Sequence, residues 1–192
     1  SWERRRLAGK DPRERNTVTG WHSRGYLPHL DHASLIQSIT FRLADALPAQ
    51  VIERLRLGEA DDAHFRQGLE DQLDAGHGEC LLREPALAQS VENALLHFDG
   101  QRYRLLAWVV MPNHVHALIE TQPVMPWRVA AQVRTQALGR QGVLWQREYF
   151  DRYIRDEGHL QAVIAYIESN PVKACLVRRA GDWPFGSARE RS

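Results

Sequence analysis

The chain has little cysteine. Its 192 residues include two, Cys80 and Cys175, which form neither a CxxC pair nor a disulfide framework. That excludes a disulfide scaffold and points to a reducing compartment. Long hydrophobic runs are also missing. No stretch approaches the ~18–20 apolar residues of a membrane span, and Ser1-Trp2-Glu3-Arg4-Arg5-Arg6 is followed by polar residues rather than the apolar core of a signal peptide. A cytoplasmic protein without a membrane partner is expected. Charge of one sign is the third absence. A formal net charge of +1 argues against a general nucleic-acid coat protein.

Near-neutrality hides segregation. Residues 1–24 hold seven Lys/Arg against three Asp/Glu, residues 128–155 six against two, and residues 172–192 five against two. Residues 51–92 reverse this, with four Arg against ten acids. Uneven surface charge is common, so the pattern alone names no partner. The basic segments nevertheless flank the motifs described next, and the acidic one lies far from them in sequence.

The most informative stretch is Trp108-Val-Val-Met-Pro-Asn-His-Val-His-Ala-Leu-Ile-Glu120. It reads as a buried strand, a break at Met111-Pro112-Asn113, and a second strand. Side chains alternate across a strand, so His114 and His116 share one face and Val115 points to the other. Two neutral imidazoles side by side are half of a metal site. The same pair also suits an ordinary polar sheet face. Apolar Leu105, Ala107, Val109, Ala117 and Ile119 would hold it in a rigid sheet.

Some fifty residues later, residues 160–174 read as an amphipathic helix whose last turn ends before Pro171. Tyr166 and Asn170 are four apart and share a helix face. Aimed at the two His they would set a nucleophile beside a metal ion. The competing reading packs Tyr166 into the core and makes Asn170 a helix cap.

The strings MPNHVHALIE, LWQREYFDRYIRDEGHL and AYIESNPVKACLV, in this order and spacing, resemble the REP-associated tyrosine transposases, single-tyrosine HUH enzymes related to small insertion-sequence transposases. RGYLPHLDHASLIQSITFRLADALP is similar to the opening of many members, and the resemblance covers residues 24 to about 187. It implies an HUH-endonuclease-like fold and a transposase that nicks and rejoins single-stranded DNA at a REP-like hairpin. Tyr166 would be the nucleophile, giving a 5′-phosphotyrosine adduct and a free 3′-OH. His114, His116 and Asn170 would hold Mg²⁺ or Mn²⁺. Tyr149 and Tyr153 are rivals for Tyr166 on residue type alone, and the Tyr-Ile-x-x-Asn-Pro motif decides for Tyr166. Glu120 and Glu168 are alternative ligands ranked below Asn170.

The expected fold is α+β, an antiparallel sheet of at least four strands flanked by helices. The strands are Ser34–Arg42, Arg102–Met111, His114–Glu120 and Phe150–Arg155, with the His strand central. Residues 1–23 are expected to be a poorly ordered basic segment, followed by a single domain over 24–192. The acidic part, 48–98, is expected to be helical and to cover a sheet face or form an insertion. His77, between Gly76 and Gly78, is expected in solvent. Trp183-Pro184-Phe185-Gly186-Ser187 is expected to pack onto the sheet.

Candidate DNA contacts are Arg24, Tyr26, His29 and Arg42 near the first strand, and Arg128, Arg134, Arg140, Arg147, Arg178 and Arg179 for the phosphate backbone. Each could equally be a solvated surface residue. Two departures from the family pattern stand out. The segment 123–141 is shortened and lacks lysine, and Cys175 replaces a glycine after NPVKA, where a helix end wants unusual backbone angles. A monomer is preferred to a dimer. A hairpin-binding protein without catalysis, and a metal-dependent nuclease using water, are the alternatives.

Overall fold

The computed structural model describes residues 20–23, 28–31, 35–57, 63–121, 145–146 and 149–191. Among these residues six strands are seen: β1 (Gly20–Ser23), β2 (Pro28–Asp31), β3 (Ile36–Arg42), β4 (Tyr103–Val110), β5 (His114–Thr121) and β6 (Phe150–Tyr153). Four α-helices accompany them: α1 (Ala49–Arg56), α2 (Ala63–Asp74), α3 (Pro85–His97) and α4 (Glu157–Lys173). The fold is α+β. Strands β1 and β2 form a separate antiparallel ribbon, and the main sheet is antiparallel in the order β4-β5-β3-β6.

Strand β5 lies inside the sheet, as the near-continuous apolar pattern of a strand covered on both faces requires. Its alternation sorts the two cores. Val115, Ala117 and Ile119 join Phe41, the α3 residues Ala88, Val91 and Leu95, and Leu69 and Leu73 of α2. Leu118 joins Val109, Met111 and Ile167 of α4 on the other side. Full burial of each such side chain contributes roughly 1.5–3 kcal/mol. His114 and His116 are in phase with Leu118 and therefore lie on the α4 side, fixed by the same alternation that builds the core.

Helix α4 starts at Asp156, whose carboxylate accepts the His159 backbone N–H at 2.8 Å. It does not end before Pro171, as the sequence suggests, but runs through it to Lys173. Proline costs one backbone hydrogen bond within a helix. Here it falls in the last turn, where it is buried and its carbonyl accepts from Leu176 N–H at 2.9 Å. Together with the Cys175 N–H to Val172 O bond of 2.9 Å, this makes a Schellman cap.

The C-terminal motif covers the outer edge of β4, consistent with the expectation from its sequence. Val110 N–H donates to Phe185 O at 2.8 Å, and the Trp183 indole donates to Val110 O at 3.0 Å. A Cβ at Gly186 would stand 3.1 Å from Trp108 O, so the close approach itself selects glycine. An exposed sheet edge is thereby closed. Two further expectations change. Residues 20–23, expected within a poorly ordered segment, form β1 by antiparallel pairing with the nearby β2, a strand too short for periodicity to reveal. His77 is half-buried, its Nε2 3.1 Å from Gln72 Oε1 and its carbonyl accepting from Asn113 Nδ2 at 3.0 Å. Among the described residues no helix is long and apolar enough to cross a membrane.

Candidate active site

Strand pairing and helix docking bring the His pair and the Tyr-Asn pair together. His114 and His116 stand edge to face with ring centroids 4.7 Å apart, and the Tyr166 ring lies 5.5 Å from His116. All of this is interior. The two imidazoles and Asn170 are essentially without solvent exposure, and Tyr166 is half-buried.

Each imidazole is oriented by its Nδ1. That of His114 lies 2.8 Å from Asn113 Oδ1, an acceptor, so Nδ1 carries the proton. That of His116 lies 2.7 Å from Thr40 Oγ1, supplied by the residue directly opposite on β3. Both Nε2 atoms are buried without a hydrogen-bond partner, while the buried Tyr166 hydroxyl lies within reach of Glu70 and the Asn170 amide. Buried polar atoms left unsatisfied in a cluster are uncommon and call for an ion or water. Burial holds both histidines neutral. It lowers His114 well below its ordinary range, helped by His116 and Arg42. It pushes His116 down to about 3, helped by Lys173. Two neutral imidazoles whose Nε2 atoms have no hydrogen-bond partner, with an amide oxygen, fit a divalent ion such as Mn²⁺ or Mg²⁺. Among the described residues no three His, Cys, Asp or Glu are gathered as a ready cage, so the third donor would be Asn170.

Sequence reasoning missed the acidic part of the site. Helix α2 buries Leu69 and Leu73 in the core and presents Glu70 and Asp74, four apart, toward Tyr166 and His114. Asp74 Oδ1 is 4.0 Å from His114 Nε2, while its Oδ2 is 3.2 Å from Lys173 Nζ. Lys173 also pairs with Asp71 at 3.5 Å and sits 5.4 Å from the Tyr166 ring centroid. Burial raises both the Glu70 and the Asp74 carboxyls, with Lys173 opposing the rise in each. The Tyr166 phenol is raised above its ordinary value, first by burial and then by the charges of Glu70 and Asp74. Burial works against the Lys173 ammonium, but Asp74, Asp71 and Glu70 outweigh it and raise its pKa. The one signal in the sequence was the acid spacing at 70 and 74 beside Leu69 and Leu73. It showed which face carried charge, not what that face met.

The remaining candidates are placed as follows. Glu120 pairs with Arg104 at 3.0 Å. Glu168 bonds Ser187 Oγ at 2.9 Å and Arg191 at 3.0 Å. Both are thus engaged elsewhere. Tyr149 is buried in the opposite core cluster, and Tyr153 is exposed on β6. Arg42 is fully buried opposite His114, its guanidinium 4.7 Å over the Phe150 ring, and so lies within the sheet rather than on an open surface. Arg178 and Arg179 are exposed beyond α4, Arg179 pairing with Asp182 at 2.7 Å. The backbone of His29 lies in β2. Arg24, Tyr26, Arg128, Arg134, Arg140, Arg147 and the shortened segment 123–141 lie outside the described residues.

No family model matches the chain. Over 106 residues it is 31% identical to a REP-associated tyrosine transposase of Escherichia coli (strain K12), covering 52% of this chain and 63% of the relative. A putative REP-associated tyrosine transposase of Haemophilus influenzae is 28% identical over 104 residues, covering 44% and 58%. The matches thus span less than two thirds of these curated relatives. A solved structure of a REP-associated tyrosine transposase bound to a REP hairpin superimposes with a TM-score of 0.54 and 20% identity, over 88% of this chain and 82% of the other. The motif resemblance is borne out in sequence relatives, and the fold is shared with that solved structure.

Proposed function

We propose that this relative of the REP-associated tyrosine transposases is a metal-dependent single-strand DNA endonuclease and strand transferase that acts at hairpins through a 5′-phosphotyrosine intermediate. The observation that carries the reading is the burial together of two His Nε2 atoms without hydrogen-bond partners and the Tyr166 hydroxyl, which lies beside Glu70 and Asn170. A module that only bound DNA would have no use for two unsatisfied imidazole nitrogens beside a buried phenol, whose burial costs stability.

Tyr166 attacks the scissile phosphorus in line. A phosphorus–oxygen bond forms to the phenol, and the bond to the departing 3′ oxygen breaks. The adduct keeps the phosphodiester energy, so a 3′-OH can later attack it and rejoin strands without ATP. A phenol raised by burial and by two carboxylates is a poor nucleophile until deprotonated. Glu70 stands beside it as the group to which the proton can pass. A divalent ion held by His114, His116 and Asn170 would supply Lewis-acid polarisation of the phosphate and positive charge favouring the phenolate. Lys173 and the exposed Arg178 and Arg179 offer positive charge near the end of α4 for DNA phosphates.

The test is a single-stranded hairpin oligonucleotide with flanks taken from beside the gene, incubated with Mn²⁺ or Mg²⁺ and run on a denaturing protein gel. Label should stay on the wild-type chain and vanish with Tyr166→Phe. Cleavage without an adduct in both proteins would make the reaction a hydrolysis by water. Tight binding with no cleavage by either would leave a binding protein.

A further inference from the structure

We infer that Glu168 is a positioning residue: clasped by Ser187 and Arg191 of the C-terminal segment, it fixes the rotation of α4 and so the place of the Tyr166 hydroxyl. The inference rests on the tyrosine reading above and deepens it.

The helix itself shows the need. Ile167 and Pro171 are buried and form the ridge on which α4 sits. Ile167 packs there against Ala107, Val109 and Leu118 of the sheet. Successive residues on an α-helix are turned by about 100°, so Tyr166 and Glu168 flank Ile167 on its two sides. Tyr166 faces His116, with ring centroids 5.5 Å apart. A helix resting on one ridge can roll about its own axis. At roughly 6 Å from that axis, a roll of about 10° displaces a side chain by about 1 Å. A misplacement of that size can cost about a hundredfold in rate. The side of α4 away from the tyrosine therefore needs a tie to the sheet.

The C-terminal segment supplies it. Glu168 Oε1 accepts the Ser187 hydroxyl at 2.9 Å and pairs with Arg191 at 3.0 Å. Ser187 is buried, and its oxygen accepts the Trp108 backbone N–H of β4 at 3.2 Å. Arg191 also donates to Leu106 O, again on β4. Both links thus end on the strand paired with the histidine strand, where Trp108 lies opposite Ala117, the residue after His116. The segment is anchored on the opposite face of the sheet as well. Glu92 of α3 is fully buried and accepts from the Trp108 indole at 3.0 Å and from Arg189 at 3.1 Å. The Glu168 side chain is only 18% exposed. A carboxylate so enclosed, held by a hydroxyl and a guanidinium, has a defined place that an open surface pair lacks.

The experiment takes two readouts on the full chain, each well below the unfolding midpoint of the variant. One is the rate of Tyr166 adduct formation at saturating hairpin DNA. The other is the NMR position of the His116 ring resonances, which sense the Tyr166 ring beside them. Glu168→Ala should slow adduct formation about 10- to 100-fold with hairpin affinity nearly unchanged, and should shift the His116 resonances. Glu168→Gln keeps an acceptor for Ser187 and should recover most of the rate. Ser187→Ala leaves the Arg191 pair in place and should give an intermediate loss, which keeps the question answerable if Glu168→Ala folds poorly. Arg104→Gln breaks the exposed 3.0 Å pair with Glu120 and should leave both readouts near wild type.

A lower melting temperature in Glu168→Ala, with adduct rate and resonances unchanged, makes the clasp merely structural and overturns the inference. Weaker hairpin binding with an unchanged rate at saturation also overturns it, because the effect of Glu168 then lies in DNA affinity. A wild-type chain that forms no adduct overturns the tyrosine reading instead, and the His116 resonances then decide the clasp by themselves.

Discussion

At the scale of single residues, the two cysteines show how identical chemistry can carry opposite consequences. Both have left-handed backbone angles, φ 52° at Cys80 and φ 56° at Cys175. Cys80 is buried, and its thiol donates to Gly76 O at 3.1 Å, so its side chain has a place. Cys175 is exposed at the position after the α4 cap, where backbone bonds hold the turn and its thiol makes only a long 3.8 Å bond to Lys173 O. A non-glycine residue there bears roughly 1–2 kcal/mol of steric cost, part of which glycine returns as a larger unfolded-state entropy. Cys175→Gly should therefore raise stability by about 0.5–1 kcal/mol in denaturant melts. A fall in the unfolding midpoint would mean that the cysteine side chain contributes a contact the turn needs. The departure at residue 175 was legible in the sequence, and so was the angle it must adopt. The orientation of the imidazoles was not, because Thr40 meets His116 only through strand pairing across 76 residues.

At the scale of elements, α4 carries the nucleophile and one metal donor, so its register decides the chemistry. Asp156 fixes the start of that register by accepting the His159 N–H. Asp156→Ala should cost about 1 kcal/mol of stability, the usual worth of such a cap. The cap lies ten residues before Tyr166, and Ile167 and Pro171 anchor the later turns in buried positions. Metal affinity should therefore hold while the melting temperature drops. Mn²⁺ binding lost in step with the cap would show that the whole helix moves as one body. The strands and helices were legible because their apolar periods are strong. Two failures have physical causes. Pro171 was read as a stop from local sterics, whereas its place in a buried last turn with a Schellman cap overrides them. Helix α2 was seen as an acidic cover remote from the site, because sequence separation conceals that Leu69 and Leu73 anchor it against the same core as β5.

At the scale of the whole molecule, the site imposes a pH dependence on folding. His114 and His116 have folded pKa values lowered from an unfolded value near 6.5. A group depressed in the fold binds its proton better when unfolded, so its stabilising contribution is complete above pH 6.5 and is lost as pH falls toward the folded value. Far enough below 6.5, each histidine then removes about 1.4 kcal/mol per pH unit. Glu70 and Asp74 have raised folded values and oppose this at lower pH, because the folded state holds their protons more tightly. Around pH 5.5–7 the histidines dominate the slope. In metal-free buffer the chain should lose about 2–3 kcal/mol between pH 7 and 5.5 in chemical denaturation. The double variant His114→Asn/His116→Asn keeps both carboxylates and should be nearly flat over the same interval. The difference between the two curves isolates the histidines from every other titrating group. Parallel curves would mean that the imidazoles accept protons in the folded state, for instance by drawing Asp74 onto His114 Nε2 across the present 4.0 Å.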